Sequence, residues 1–182
     1  FVHWDDIDVH YRGRTIRAGG QGFAGIARKR LLQILQERAA GLGVDLRFEV
    51  EANDEDYADA DVLLIADGAN SPTRRKYAGA FGTTLEPRRN RYIWLGTRQR
   101  FDAFTFAFEE TPHGWFQVHA YQFDAELGTV IVECREETWC AAGLDVATPD
   151  ESIAFCERLF ARYLGGHALI SNAKHMASPW VS

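Results

Sequence analysis

The residues best suited to ligand chemistry stand in one short stretch. Asp67-Gly68 follows the continuous apolar run at 62–66, and Ser71 and Arg74 come a few residues later. The apolar run predicts a strand covered on both faces, and open α/β sheets bind ligands just past such strand ends. Gly68 permits a sharp turn or a close backbone approach, Ser71 offers a hydroxyl, and the guanidinium of Arg74 fits phosphate oxygens. The stretch predicts a ligand-binding turn or, equally well, a strand end followed by a helix cap.

A second candidate motif lies upstream. Gly20, Gly22 and Gly25 spell G-x-G-x-x-G in front of a helix predicted over residues 26–40. A dinucleotide-binding loop of this kind follows a buried, apolar parallel strand. The segment before it, 10–17, is polar and predicts half of a hairpin that turns at Arg12-Gly13. The context favours a Gly-rich connector, while an NAD-dependent dehydrogenase that uses residues 20–25 stays as an alternative.

The second half of the chain is rich in aromatic residues with strand-like alternation. Strands are predicted at 91–97, 103–108, 115–123 and 129–134, with a further strand at 175–182. Phe104, Phe106 and Phe108 share one face by the period of two. The helix predicted over 150–163 would cover this sheet. The sheet is either an ordinary core or an apolar wall for a flat aromatic ligand. Since no acid, base or nucleophile stands out, any chemistry is expected to depend on a cofactor.

Composition limits the classes of partner and site. The net charge of −6 argues against nucleic acid as a partner. No apolar run approaches the ~18 residues of a membrane-spanning helix, so no membrane partner is expected. Three cysteines without a C-x-x-C pair favour a reducing compartment, hence a cytoplasmic location. The six histidines show no metal-ligand spacing, so no metal site is expected.

These patterns predict an α/β (α+β) chain in two parts. Residues 1–85 form an incomplete α/β unit with strands at 44–50 and 62–66. Residues 86–182 form a mostly antiparallel sheet with a covering helix. The chain starts at Phe1 rather than Met, and both ends look cut, so we expect an internal fragment of a longer protein.

Three groups of residues carry a family resemblance. The run 61–74 resembles the Asp-Gly motif of the single-component FAD-dependent aromatic hydroxylases, and the helix start 25–32 is similar to that family's Arg-x-x-Leu helix. The aromatic segments at 92–97, 101–110 and 113–116 further resemble the salicylyl-CoA 5-hydroxylase and 2-aminobenzoyl-CoA monooxygenase branch. The likeness covers essentially the whole chain, and the aromatic segments are its most specific part.

The resemblance implies a flavin monooxygenase, with part of a Rossmann-like FAD-binding domain joined to a substrate-binding sheet. In that family NAD(P)H reduces FAD, and O2 then supplies an oxygen atom to an aromatic ring activated by an ortho hydroxyl or amino group. By the same resemblance Arg28 contacts FAD, and Asp67 and Gly68 approach its ribose and pyrophosphate. Ser71 and Arg74 hold the turn and assist NAD(P)H.

The resemblance also implies a small aromatic substrate, linked to CoA, against the sheet from 91 to 134. The candidate substrate-binding residues are Trp94, Phe106, His119 and Tyr121. His119 and Tyr121 are included because they place polar tips on the aromatic sheet. A structural place in the core is at least as consistent with those two residues.

Two parts of the family pattern do not occur in this chain. The Gly-rich loop that grips FAD should lie before Phe1, and a later Gly-Asp motif after Ser182, so the fragment is expected to be inactive alone. The strands at 44–50 and 62–66 would then lack their central neighbour. Exposed strand edges invite pairing with a partner, of which a homo-oligomer is one form. A non-catalytic module that binds aromatic ligands stays as a third hypothesis.

Overall fold

The structure, a computed structural model, describes residues 1–171 and 180–181. The chain forms two compact units, one of residues 1–34 and 88–182 and one of residues 35–87. The proposed division into domains at 1–85 and 86–182 stays a prediction. The expected strand at 175–182 falls mostly outside the described residues, of which Trp180 and Val181 pair as a short strand.

The bounds of the elements are as follows. The strands are β1 (Val2–Trp4), β2 (Ile7–Tyr11), β3 (Arg14–Ala18), β4 (Phe23–Gly25), β5 (Asn90–Thr97), β6 (Phe104–Thr111), β7 (Gly114–Gln122), β8 (Gly128–Arg135), β9 (Leu169–Ile170) and β10 (Trp180–Val181). The α-helices are α1 (Arg28–Gly41), α2 (Pro72–Lys76), α3 (Ala78–Phe81), α4 (Glu136–Ala141) and α5 (Pro149–Phe160). Short 3-10 turns lie at Asp54–Tyr57 and Ala161–Tyr163.

The first unit is built on one large sheet with the strand order β10-β5-β8-β7-β6-β2-β3, in which β9 also pairs with β5. The four predicted aromatic strands are confirmed as β5 to β8, and they pair in antiparallel fashion. The pair β2–β6 is parallel. Together with the helices, this sheet confirms the predicted mixed α/β fold class.

The hairpin β2–β3 is confirmed, with a two-residue turn at Arg12-Gly13. Both turn residues have positive φ, 48° and 74°, as a tight hairpin turn that matches the strand twist requires. The hairpin extends the large sheet through β2, and all five residues of β3 are exposed at its edge. The segment before Gly20 is therefore an exposed antiparallel strand, which lacks the buried parallel context of a dinucleotide fingerprint.

The core lies on one face of the sheet, under α5. Every second residue of the central strands is buried there, and Phe116, Val132 and Ala107 have no measurable exposure. From α5, Cys156 and Phe160 join this cluster. The helix begins as predicted, since the Thr148 hydroxyl accepts from the Glu151 N–H in a capping box and Pro149 opens the first turn.

The predicted helix covers the sheet as α5, on the face opposite the phenylalanines. Residues of β6 alternate, with Thr105 and Ala107 buried toward α5 while Phe104, Phe106 and Phe108 point to the opposite face. The period of two places the phenylalanines together but carries no information about which face the helix covers. We call the face opposite α5 the open face.

The second unit, residues 35–87, has little regular structure. The strands predicted at 44–50 and 62–66 are wrong, because neither segment pairs with any described strand. Their apolar side chains are exposed, with Leu64 at 88% and Val62 at 74%. An extended segment becomes a strand only through ladder hydrogen bonds to a neighbour, and apolar sequence alone does not supply that neighbour.

Helix α1 lies close to the predicted 26–40, but none of its residues is buried. The apolar positions at Leu31, Leu32 and Leu35 are 43–56% exposed. Among the described residues, no helix combines the length and the hydropathy that crossing a membrane requires. All three cysteines are free thiols.

We predict that Phe116→Ala destabilises the first unit by about 3–5 kcal/mol, because it leaves a cavity in a fully buried part of the core. Val146→Ala is the control, since Val146 is 83% exposed and its truncation should stay within about 0.5 kcal/mol. Urea unfolding followed by circular dichroism measures both. Equal effects of the two substitutions would contradict the assignment of the core to this face.

Candidate functional site

The Asp67 turn is held by its own side chains. The Ser71 hydroxyl accepts a hydrogen bond from the Arg74 N–H at 2.8 Å and so caps α2. A hydrogen bond with Ser71, assisted by hydrogen bonds with Thr73, lowers the pKa of the Asp67 carboxyl below its ordinary value. Gly68 adopts a φ of 90°, which glycine accepts without strain. Asp67 is therefore an ionised hydrogen-bond acceptor beside a sharp backbone turn.

Arginine side chains close the same turn. The Arg74 guanidinium donates to the carbonyl oxygens of Gly68, at 3.5 Å, and Ala69. Arg75 donates to the carbonyl oxygen of Asn70 at 2.6 Å. Arg74 thus has the geometry of a residue that holds the turn, while its role toward a cofactor stays a prediction.

Four of the five candidate cofactor residues line one cavity of about 400 Å³ in the second unit. They are Asp67, Gly68, Ser71 and Arg74, and the wall is completed by Leu63–Ile65, Phe81 and Thr83. The cavity therefore combines a carboxylate and a guanidinium with an apolar wall. A cavity with this mixed lining suits a ligand that has both polar and apolar parts.

The open face is organised in rows, because residues directly opposite on neighbouring strands point to the same side. Across β6, β7, β8 and β5, the first row is Phe104, Tyr121, Thr129 and Gly96. The second row is Phe106, His119, Ile131 and Trp94, and the third row is Phe108, Gln117, Glu133 and Tyr92. All four candidate substrate residues fall in the first two rows.

The fifth candidate cofactor residue, Arg28, lies beside the first two rows. A cavity of about 450 Å³ is lined by Ile26, Ala27 and Arg28 from the start of α1, and by Trp94, Gly96, Tyr121 and Thr129 from the open face. The Arg28 side chain has no hydrogen bond or ion pair within the described ranges 1–171 and 180–181. The structure thus brings Arg28, Trp94 and Tyr121 together, while Phe106 and His119 lie farther along the second row.

Aromatic rings from the small sheet β1–β4 cover one end of the open face. The Trp4 ring stacks at 6.1 Å from Tyr121 and 6.4 Å from Phe104, and Phe23 lies 5.3 Å from Phe104 between ring centroids. Sequence analysis missed Trp4 and Phe23. In the sequence they stand out only as two large aromatic residues in an otherwise polar segment. That pattern does not predict which residues they pack against.

His119 is a polar group in apolar surroundings. Its ring lies 5.9 Å from Phe106 and 6.2 Å from Phe104, and it has no hydrogen-bond partner among the residues the structure describes. Burial lowers the pKa of His119 below its ordinary value, against an opposing effect of Glu133. The imidazole is therefore neutral at pH 7 and free to donate or accept one hydrogen bond toward a ligand. Within the described residues, no group of three metal-ligating side chains occurs.

Comparisons with known proteins agree with these features. No family model matches the chain. The chain is 41% identical to a salicyloyl-CoA 5-hydroxylase from a Streptomyces species, over 97% of this chain and 36% of the relative. Nearly the whole chain is thus similar to one part of an aromatic hydroxylase. This finding confirms the resemblance and displaces the NAD-dependent dehydrogenase alternative.

Two further monooxygenases match nearly the whole chain. A 3-hydroxy-4-methyl-anthranilyl-[aryl-carrier protein] 5-monooxygenase from Streptosporangium sibiricum is 37% identical over 93% of this chain. Protodeoxyviolaceinate monooxygenase from Chromobacterium violaceum is 32% identical over 90%. The chain spans between 36% and 44% of the length of these three hydroxylase relatives.

A solved structure supports the same fold. A flavoprotein/dehydrogenase from Cytophaga hutchinsonii matches 93% of this chain and 48% of its own chain, with a TM-score of 0.59 and 13% identity. At this level of identity the match concerns the fold alone. It shows that this chain shares its fold with part of a larger protein.

We predict that Gly25→Ala disturbs the wall of the Arg28 cavity. A Cβ at Gly25 would lie 2.2 Å from the Gln122 carbonyl oxygen and 3.1 Å from Trp4, so β4 must shift. The expected loss is about 1–3 kcal/mol of unfolding free energy. Gly41→Ala at the last residue of α1 is the control, because its Cβ would meet no atom within 4 Å. An unfolding free energy for Gly25→Ala within error of the control would show that β4 does not pack as described.

Proposed function

We propose that this chain supplies cofactor contacts and the aromatic-substrate wall of an FAD- and NAD(P)H-dependent monooxygenase that hydroxylates an aromatic ring. The substrate is an aryl thioester, such as salicylyl-CoA or 2-aminobenzoyl-CoA, and O2 is the co-substrate. The observation that carries the proposal is the 41% identity to a salicyloyl-CoA 5-hydroxylase across nearly the whole chain. The open aromatic face beside the Arg28 cavity supports it independently.

The residues present fit a flavin nucleotide. Arg28 offers a guanidinium at the rim of a cavity, with no hydrogen bond or ion pair to any residue that the structure describes. A guanidinium binds phosphate oxygens in a bidentate manner. Asp67 is an ionised acceptor for ribose hydroxyls. At Gly68 an added Cβ would meet no atom within 4 Å, so the backbone is open to a ligand. When bound, FAD would pass two electrons from NAD(P)H to O2, of which one oxygen atom enters the ring and the other leaves as water.

Each group of residues then has a distinct role. Arg28 holds the phosphate-ribose side of the cofactor, Asp67 accepts from a ribose hydroxyl, and the Gly68 backbone approaches the pyrophosphate. Ser71 and Arg74 keep the turn in its shape through the hydrogen bonds described above, and assist NAD(P)H.

The open face positions the substrate ring. Trp94 and Phe106 provide flat apolar surface, and aromatic rings bind one another in stacked or edge-on contacts. His119 and Tyr121 provide the polar tips that orient the substituents of the ring. Excluding water from this face also favours transfer of oxygen to the ring over wasteful side reactions.

We also propose a cytoplasmic location. The three free thiols fit a reducing compartment, and the nicotinamide and acyl-CoA substrates are metabolites of the cytoplasm. A purely binding role for the aromatic sheet lacks support, because all three hydroxylase relatives carry the name of an oxygenase or hydroxylase.

The test uses the full-length protein that contains this chain. We predict a yellow protein with flavin absorbance, whose NAD(P)H oxidation is stimulated by salicylyl-CoA or 2-aminobenzoyl-CoA and yields a hydroxylated thioester by mass spectrometry. The free acids and the same aryl groups on a carrier protein are the comparison substrates. A colourless protein that takes up no added FAD would overturn the proposed function, and stimulation by free acids alone would overturn the thioester assignment.

A further inference from the structure

The first row of the open face has a gap on β5. The other three strands each place a side chain in this row, whereas β5 places Gly96 there. The neighbours of Gly96 along the strand, Leu95 and Thr97, are buried on the opposite face, so alternation directs position 96 to the open side. The row therefore contains a recess above the backbone of β5.

This recess belongs to the cavity of about 450 Å³ that Arg28 also lines. Thr129 of β8 pairs with Gly96 on one side, and Ile170 of β9 pairs with it on the other. Both residues line the cavity, as does Trp94, which precedes Gly96 by two positions on the same face and is 60% exposed. The recess is thus a slot that has a strand backbone beneath it and side chains on three sides.

The fold itself does not require a glycine at position 96. A Cβ there would lie 3.6 Å from the Gly128 carbonyl oxygen and 3.8 Å from the Ile170 carbonyl oxygen, which are ordinary contacts. The described ladder between β5 and β8 keeps one register from Asn90 to Thr97, without a bulge. A glycine inside a strand weakens it, and it marks a bulge, a tight bend or the close approach of a ligand or another backbone. The regular ladder and the ordinary contacts favour the close approach of a ligand.

We infer that Gly96 is a specificity-determining residue, whose missing side chain lets the aromatic ring of the substrate lie on the backbone of β5 beside Trp94. This inference rests on the proposed function and names the place on the open face where the ring binds. A planar ring can approach the backbone closely where no Cβ stands, and the Trp94 indole offers it a stacked or edge-on contact. A side chain at position 96 would lift the ring out of the slot.

The width of the slot fits the single ring of the substrate. Thr129 and Ile170 stand on the two strands that flank β5, so their Cα atoms are separated by roughly 10 Å, and their side chains narrow that gap. One six-membered ring fits across it. The three fused rings of a flavin are longer and would have to run along β5 into Trp94.

The test measures ligand binding to the oxidised full-length holoenzyme without NAD(P)H, so that no turnover occurs. Isothermal titration compares benzoyl-CoA with acetyl-CoA, which has the same thioester and nucleotide but no ring. The ratio of the two affinities therefore reports on the ring alone. The variants are Gly96→Ala and Gly96→Val, and the matched control is Gly41→Ala, which adds a methyl group where no atom of a described residue lies within 4 Å. The FAD content of each protein is measured by absorbance.

We expect the wild type to bind benzoyl-CoA more tightly than acetyl-CoA. Gly96→Ala should weaken benzoyl-CoA binding by roughly tenfold and Gly96→Val by roughly a hundredfold, because each added group takes volume from the slot. Acetyl-CoA binding and FAD content should stay within about twofold of wild type, since neither depends on that volume. Gly41→Ala should match the wild type in all three quantities.

A second substitution separates the loss of space from a general effect on the fold. Ile170→Ala removes volume from the wall beside Gly96, where an added Cβ would lie 3.9 Å from the Cβ of Ile170. The two substitutions should therefore be non-additive. We expect the double variant Gly96→Ala, Ile170→Ala to bind benzoyl-CoA within about threefold of the Ile170→Ala single variant.

Three results would overturn the inference. The first is an unchanged ratio of the benzoyl-CoA and acetyl-CoA affinities in both Gly96 variants. The second is a loss of FAD in parallel with benzoyl-CoA binding, which would assign the slot to the flavin, and the third is a double variant without recovery. Each leaves the proposed function standing if aryl thioesters stimulate NAD(P)H oxidation by the wild type. A wild type that binds benzoyl-CoA no more tightly than acetyl-CoA would overturn both the inference and the proposed aryl substrate.

Discussion

The alternation of side chains across β5 to β8 is the constraint on which the rest of the first unit depends. Residues on one face are buried under α5, and Phe116 of the sheet and Cys156 and Phe160 of the helix are almost fully inaccessible. Because the period of a strand is two, each buried residue fixes a neighbour that points the other way. The choice of residues that face the core therefore also determines which aromatic and polar side chains lie on the open face.

Each of the two candidate sites is lined by residues of a single unit. On the open face, the sheet provides rigid positions for Trp94, His119 and Tyr121, and the start of α1 adds Arg28 at the rim. In the second unit, Asp67 to Arg74 form a turn whose hydrogen bonds are made by its own residues. These local hydrogen bonds hold the candidate binding groups of the turn in place without contacts from a distant element. Preorganisation of this kind reduces the entropic cost of binding.

Sequence patterns were sufficient for features that depend on local chemistry. The turn at Arg12-Gly13, the cap at Thr148 and the strands β5 to β8 all follow from turn residues, capping residues and alternation. The strands expected at 44–50 and 62–66 were wrong because strand formation depends on a partner, which apolar sequence cannot specify. The face that α5 covers could not be predicted for a related reason. Alternation shows which residues share a face, but it does not show which face is the core and which is open to a ligand. The contribution of Trp4 and Phe23 required the three-dimensional packing on Tyr121 and Phe104.

The central claim is that the open face contacts the ring of the substrate. A crystal structure of the full-length protein with FAD and a non-reactive aryl thioester, such as benzoyl-CoA, tests it most directly. The account predicts the aryl ring in van der Waals contact with Trp94, Phe106 or Tyr121, and with the thioester carbonyl or the ring edge turned toward His119. An aryl ring bound away from these rows would contradict the account.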